Sequence, residues 1–386
     1  MPLTEGVLVV LPPTRGADRG LASLPVAGLP LLRRLVLAAA AAGYARVFVD
    51  DDVTAAPGAL NGTAAVGLKD ASLAPSPARR RVVLVPVNVL AQRRWLREQL
   101  ETPLQAERLH VDASRAAVVE TERADKVLAA MRGAGAGGAV DRLRTLFDEA
   151  PLPPDPDGLL ALSSPGDAAR AERWLLRSLI KQNEGFMSRN FERRISLAIT
   201  RRLTRTRVTP NVMTLVSVAI GLAAAPCFLS GAPAWQLTGA LLFLSHSILD
   251  GCDGELARLK FLESRRGAIL DFWGDNVVHV AVFSAIAVGW ALRTGSPWPL
   301  ALGGLAVAAA LGSAALMFKR FVEDRAPVGT WAARLIGALS HRDFIYVVVL
   351  LSAFGRAHWF LVATAVGTPV FLALALVFLR TDGRVP

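Results

Sequence analysis

The chain has 386 residues, room for two or three domains, and its 53% hydrophobic content with a mean hydropathy of +0.40 sets it apart from ordinary soluble proteins. A net charge of +11 would suit a nucleic-acid binder. The basic residues instead cluster in SRNFERRISLAITRRLTRTRVTPN, just before an apolar span, as positive-inside bias and contact with anionic headgroups predict. Cys227 and Cys252 lie in or near apolar spans and point to neither a disulfide framework nor a zinc site.

The start, MPLTEGVLVVLPPTRGADRG, lacks the basic beginning and long apolar run of a signal peptide, so the N-terminal domain is expected in the cytosol. Val7–Leu11 reads as a β-strand followed by the loop PPTRGADRG, then a helix in PLLRRLVLAAAAAGY and a strand in ARVFVD. RRVVLVPVNVL predicts a further strand, AQRRWLREQL a helix, LHVDASRAAVVETE two short strands, and ADKVLAAMRGAG and AVDRLRTLFDEA helices. Alternating strands and helices imply a mostly parallel α/β sheet over roughly 1–150. The proline-rich APLPPDPDGLLALSSPGD predicts a linker or irregular loop, and AARAERWLLRSLIKQNEGF a surface helix, so that roughly 151–184 connects two domains.

The remainder, roughly 185–386, is a membrane domain. Phe191, Ile195, Ala198, Ile199 and Leu203 recur at helical spacing against an arginine face, which suits an amphipathic helix in the membrane interface. A solvated helix packed on the soluble domain has the same amphipathicity. Six spans follow, roughly 210–229, 235–257, 268–292, 298–320, 343–361 and 361–380, each near the ~20 residues that a bilayer requires. Gly355, Arg356 and His358 form the turn between the last two, and EDRAPVGTWAARLIGALSHRD separates the fourth from the fifth. An even number of spans puts both termini in the cytosol.

Inside these spans stands DGCDGELARLKFLESRRGAILDFWGD, with Asp250, Asp253, Asp271 and Asp275. A carboxylate in a bilayer costs several kcal/mol unless something offsets it. Four together repel one another unless a counter-charge is present. One or two divalent cations resolve the conflict. On a helix Asp250 and Asp253 share a face, as do Asp271 and Asp275, so two neighbouring helices can present both pairs to one point. Oxygen ligands favour Mg²⁺, Mn²⁺ or Ca²⁺, and Arg258 beside them can hold a phosphate. His246 and His279 flank the motif and read as packed bundle histidines, and Cys252 as packing. Arg189, Arg193, Arg194, Lys260, Arg265, Arg266, Lys319 and Arg320 fall near the cytosolic face, divided between an anion pocket for the acceptor and topology signals.

The letters D-x-x-D-G-x-x-A-R, eight residues, G-x-x-x-D-x-x-x-D fill eight fixed positions over 26 residues. They resemble the signature of the CDP-alcohol phosphotransferase family, and VTPNVMTL at the first span is similar to the family's entry sequence. The resemblance implies an α-helical integral membrane bundle of six transmembrane helices with an interfacial amphipathic helix, often a homodimer. It implies that Asp250, Asp253 and Asp271 ligate Mg²⁺ or Mn²⁺, as two ions, and that Asp275 shares the site and acts as general base. Gly254, Ala257 and Arg258 would contact the CDP moiety, Asn211 and Thr214 would line the nucleotide end, and Gly267 would give close helix packing. The reaction implied is attack of an acceptor alcohol on the β-phosphorus of a CDP-alcohol, releasing CMP.

In layout the chain is similar to family members whose membrane half follows a cytosolic nucleotidyltransferase domain, such as the bifunctional inositol-phosphate cytidylyltransferase and di-inositol-phosphate-phosphate synthase. The donor is then CDP-diacylglycerol or CDP-inositol, and the acceptor a polar or phosphorylated polyol in an inner or plasma membrane. SLPVAGLPLLRRLVLAAAAAGYARVFV resembles the G-x-P-L-L segment of sugar-nucleotide transferases. The loop LPPTRGADRG, however, has prolines where glycines would cradle a triphosphate, Leu29 stands where lysine is usual, and VPVNVL lacks an acidic residue for Mg²⁺. The N-terminal domain is therefore expected to be nucleotidyltransferase-like but degenerate. A divalent-cation transporter would also use intramembrane aspartates, and a pseudo-enzyme anchor would keep the same fold. Arg258 with Gly254 and Ala257 speaks against a cation pathway, which an arginine would repel.

Overall fold

The structure is a computed structural model that describes residues 5–53, 60–74, 78–132, 138–180, 187–319 and 344–382. It divides into two compact units, Met1–Ser178 and Leu179–Pro386. The expected loop at 323–343 and the candidate acceptor residue Arg320 lie outside the described residues.

The first unit begins with β1 (Glu5–Leu11), the hairpin β2 (Pro25–Val26) and β3 (Leu29–Pro30), α1 (Leu31–Ala42), β4 (Arg46–Val49) and β5 (Ala65–Gly67). It continues through β6 (Arg80–Pro86), β7 (Val89–Ala91), α2 (Arg93–Glu101), β8 (Arg108–Val111) and β9 (Ala117–Thr121). It closes with α3 (Ala124–Met131), α4 (Gly138–Leu143), β10 (Asp148–Pro151), β11 (Leu159–Ala161) and α5 (Ala168–Arg177). Seven strands form one sheet in the order β10-β8-β9-β6-β1-β4-β5. β1 pairs parallel with β4 and β6, and only β9 runs antiparallel, between β6 and β8. The unbroken apolar run of β1 follows from this position: Val7, Leu8, Val9 and Val10 are fully buried, as expected for a central parallel strand covered on both faces. Each such side chain contributes about 1.5–3 kcal/mol of burial.

The proline-rich stretch expected as a linker is part of this unit. β11 pairs antiparallel with β7, Leu162 is fully buried, and α5 buries Leu175 and Leu176. Pro151 is tolerated because it ends β10, an edge strand with no neighbour needing its missing N–H. Composition marked the prolines; it could not show that Leu159–Ala161 finds a strand partner some 70 residues earlier.

The second unit opens with a π-turn, Ser188–Glu192, leading into α6 (Arg193–Leu203). Next come α7 (Pro210–Ala224), extended by a 3₁₀ turn Ala225–Leu229, and α8 (Pro233–Lys260). α9 (Arg265–Thr294), α10 (Trp298–Phe318), α11 (Phe344–Ala353) and α12 (Ala357–Asp382) complete it. Pro210 and Pro233 sit at helix starts, where the missing N–H is not needed. Gly355, with φ of 68°, makes the turn into α12, while His358 lies within the helix. A core of Phe228, Phe243, Val278, Val282 and Phe283 among alanines holds the bundle. Gly221 lets α7 close on its neighbours, since a Cβ there would stand 2.6 Å from Val278 Cγ1.

Among the described residues, four helical stretches are long and apolar enough to cross a bilayer: Pro210–Leu229, Arg265–Thr294, Trp298–Phe318 and Ala357–Val377. The chain is thus an integral membrane protein, and four of the six expected spans coincide with such helices among the described residues. α8 is long enough, but its C-terminal half carries Asp250, Asp253, Glu255, Arg258 and Lys260. The described part of α11 has 10 residues, about 15 Å of helix against ~30 Å of hydrocarbon.

Candidate active site

The site lies where α8 turns into α9. Phe261 adopts the left-handed conformation, φ 55°, and caps α8. Ser264 then caps α9, its hydroxyl accepting from Gly267 N at 3.0 Å. This tight reversal lays the end of one helix beside the start of the next, so residues spaced three and four apart on each face a common volume.

Asp250, Asp271 and Asp275 each bring a carboxylate oxygen within 4.8 Å of the others. Asp250 is buried and the other two half-buried. Asp253 stands apart from this cluster: it is buried, and its Oδ2 accepts the hydroxyl of Thr214 from α7. Among the described residues, Asp271 Oδ1 is buried without a hydrogen-bond partner, which is costly unless a cation balances it. Three crowded hard-oxygen donors with such an atom among them fit a divalent cation of the Mg²⁺ or Mn²⁺ type.

Beside the aspartates is a cavity of about 220 Å³. Its lining includes Asn211, Thr214, Asp253, Gly254, Ala257, Arg258, Gly267 and Asp271, so every residue expected at the nucleotide end meets in one place. Pro210, Leu262, Glu263, Ser264 and Ala268, which the sequence did not single out, complete it. The glycines keep it open. A Cβ on Gly254 would come within 3.2 Å of the Arg258 guanidinium, and one on Gly267 within 3.0 Å of Asn211 Oδ1 and Ser264 Oγ.

His246 does more than pack. It is buried, its Nδ1 donates to the Ser217 carbonyl at 2.9 Å, and its Nε2 lies 3.3 Å from Asp275 Oδ1. It therefore ties α7 through α8 to an aspartate of α9. The only sequence signal was its place four residues before Asp250 in an apolar run. His279 packs among aromatic rings, 5.5 Å from Phe243 and 5.9 Å from Phe283, and Cys252 joins an apolar cluster with Met213 and Leu256. Of the basic residues considered for an acceptor, Arg193 pairs with Glu255, and Lys260 donates to the carbonyl of Thr206 at 2.8 Å. These two have structural partners.

The loop after β1 is held by Asn88, in the turn between β6 and β7. Its Oδ1 accepts from Thr14 N at 2.9 Å, and its Nδ2 donates to Thr14 Oγ1 and the Leu162 carbonyl. A neutral amide, not a carboxylate, thus fastens this loop.

Residues 207–369 match the family described as CDP-alcohol phosphatidyltransferase. This stretch of the membrane half is similar to a CDP-alcohol phosphatidyltransferase domain. Over 131 residues the chain is 38% identical to a bifunctional IPC transferase and DIPP synthase of Thermococcus kodakarensis, covering 34% of this chain and 29% of that protein. Over 229 residues it is 28% identical to the enzyme of the same description from Aquifex aeolicus, covering 56% and 50%. The chain thus spans half or less of the length of these relatives. A crystal structure of Mycobacterium tuberculosis phosphatidylinositol phosphate synthase with CDP-DAG bound is a loose structural match to part of the chain. Its TM-score is 0.37 at 20% identity, over 48% of this chain and 93% of that one.

Proposed function

We propose that the protein transfers a phosphate-linked alcohol from a CDP-alcohol to an acceptor alcohol, releasing CMP and forming a phosphodiester. The observation that carries this reading is the single cavity lined by Asn211, Thr214, Gly254, Ala257, Arg258 and Gly267 and bordered by Asp253 and Asp271. Arg258 suits the diphosphate as a charged, bidentate donor. Asn211 and Thr214 line the nucleotide end, and Gly254, Ala257 and Gly267 leave room for CDP. Asp250, Asp253, Asp271 and Asp275 hold one or two Mg²⁺ or Mn²⁺ ions, which when bound offset the charge of the diphosphate. Asp275 takes the proton of the acceptor hydroxyl as its oxygen attacks the β-phosphorus, the P–O bond to CMP breaks, and CMP leaves. His246 orients Asp275 for that proton.

The donor is CDP-diacylglycerol or CDP-inositol, and the acceptor is a polar or phosphorylated polyol such as inositol phosphate. We place six spans in the membrane, counting α8 and α11 with the four longer helices, and both termini in the cytosol, with the protein a homodimer. The α/β unit, residues 1–150 extended by β11 and α5 to Ser178, is the cytosolic nucleotidyltransferase-like domain. Asn88 and the prolines of its first loop support a regulatory or scaffolding role over nucleotide transfer. The test is CMP release by purified protein in detergent with Mg²⁺, comparing CDP-diacylglycerol with CDP-inositol across a panel of alcohols. Release that requires both metal and acceptor establishes the reaction. Retained metal binding with no release under any pairing moves the reading to a non-catalytic or transport role.

A further inference from the structure

Glu255 occupies an unspecified position of the aspartate motif, two residues after Asp253, and its side chain has no solvent exposure. A fully buried carboxylate requires charge and hydrogen bonds to offset its lost hydration. Glu255 obtains them from one helix. Arg193 Nη1 donates to Oε1 at 2.5 Å, Ser196 Oγ to Oε1 at 2.7 Å, and Thr200 Oγ1 to Oε2 at 2.6 Å. Residues 193, 196 and 200 are spaced three and four apart, so they share a face of α6. The most deeply buried positions along α6 are therefore polar: Glu192, Ser196, Thr200 and Thr204 are buried, Ile199 and Leu203 pack half-buried against the Cys252 cluster, and Phe191 and Ile195 are 50% and 37% exposed.

The contact falls on the segment that carries the site. Gly251, between Asp250 and Cys252, lies under Arg193, since a Cβ there would be 3.5 Å from Nη1. Cys252 is buried with its Sγ 3.6 Å from the Ser196 carbonyl. α8 thus presents Asp250 to the carboxylate cluster and Asp253 to the cavity, while Gly251, Cys252 and Glu255 are gripped by α6. We propose that Glu255 is a positioning residue, a buried lock with Arg193, Ser196 and Thr200 that fixes the rotation and depth of the aspartate-bearing turn of α8 against the interfacial helix. This rests on the reading of Asp250 and Asp253 as part of the metal and CDP site.

Three measurements on the full-length protein in detergent test it: alkylation of Cys252 by N-ethylmaleimide, located by mass spectrometry; Mn²⁺ affinity, measured with the metal alone; and CMP release. Opening the lock exposes Cys252. E255A is expected to accelerate its labelling at least about tenfold and to weaken Mn²⁺ binding and kcat by about 10–100-fold, the usual range for supporting residues of a metal site, with donor KM changed far less. T200V is expected to shift all three in the same direction by less, and T200S to restore wild-type values. Labelling and Mn²⁺ affinity within about twofold of wild type in E255A overturn the proposal. Faster labelling with unchanged Mn²⁺ affinity also overturns it, because α6 would then be held without the aspartates being positioned. Should E255A fail to fold, the T200V and T200S pair decides by the same readouts. If the wild type releases no CMP with any donor, the proposed reaction fails, while Cys252 labelling and Mn²⁺ affinity still decide the lock.

Discussion

Asp275 is the residue on which chemistry and placement converge. It lies in the cluster with Asp250 and Asp271 and faces His246. Asp275→Asn keeps the shape but removes the proton acceptor, and is expected to lower CMP release by about 10²–10⁴-fold in a steady-state assay, with the purified protein still monodisperse. A second residue reports on the α/β unit. Burial, the largest influence on Asp50, raises its carboxyl above the ordinary carboxylate range, outweighing the hydrogen bond from Asp52 N. A raised folded-state pKa means that the folded form binds the proton more tightly. The stabilisation from protonation is complete below the unfolded value of about 3.9 and is lost as pH rises through the folded value. Asp50→Asn is therefore expected to raise the thermal midpoint of the α/β unit at neutral pH relative to wild type and to flatten its dependence on pH across that window.

At the scale of elements, the turn from α8 to α9 decides the cavity. Gly254 is opposed by the Arg258 guanidinium. Gly254→Val is expected to displace that group and raise donor KM by about 10–100-fold, the value of a charge-assisted hydrogen bond to phosphate. Unchanged donor KM in Gly254→Val would mean that Arg258 does not hold the donor. In the sheet, Leu84 of β6 is fully buried in the main cluster. Leu84→Ala is expected to cost about 2–5 kcal/mol of stability, readable from the denaturation midpoint of the α/β unit.

For the whole molecule, four apolar helices set the partition into the bilayer, and alkaline carbonate extraction is expected to leave the protein in the membrane pellet. The proposed six spans make a sharper statement. Tags at the two termini should be accessible from the same, cytosolic side of sealed vesicles; opposite accessibility would require an odd number of crossings. The basic segment before α7 favours that cytosolic side through positive-inside bias.

Much of this was legible before any coordinates. Alternation of apolar runs with helical periodicity marked a mostly parallel sheet, and VLVVL marked a strand, whose central and fully covered place came from its pairing with β4 and β6. The spacing of Asp250, Asp253, Asp271 and Asp275 marked the candidate site, since intramembrane carboxylates are costly, and the fold gathers Asp250, Asp271 and Asp275 while Asp253 meets Thr214. What sequence could not settle depends on partners distant along the chain. The proline-rich stretch reads as a linker until β11 is seen to pair with β7. The amphipathic helix reads as an apolar face against an arginine face until Ser196 and Thr200 are seen to point at Glu255. His246 reads as packing until α9 brings Asp275 to it. Composition and periodicity determined which elements form and where charge is concentrated. Tertiary structure alone decided which buried polar groups meet, because a desolvated donor or acceptor is satisfied by whatever the fold carries to it and not by its neighbours in sequence.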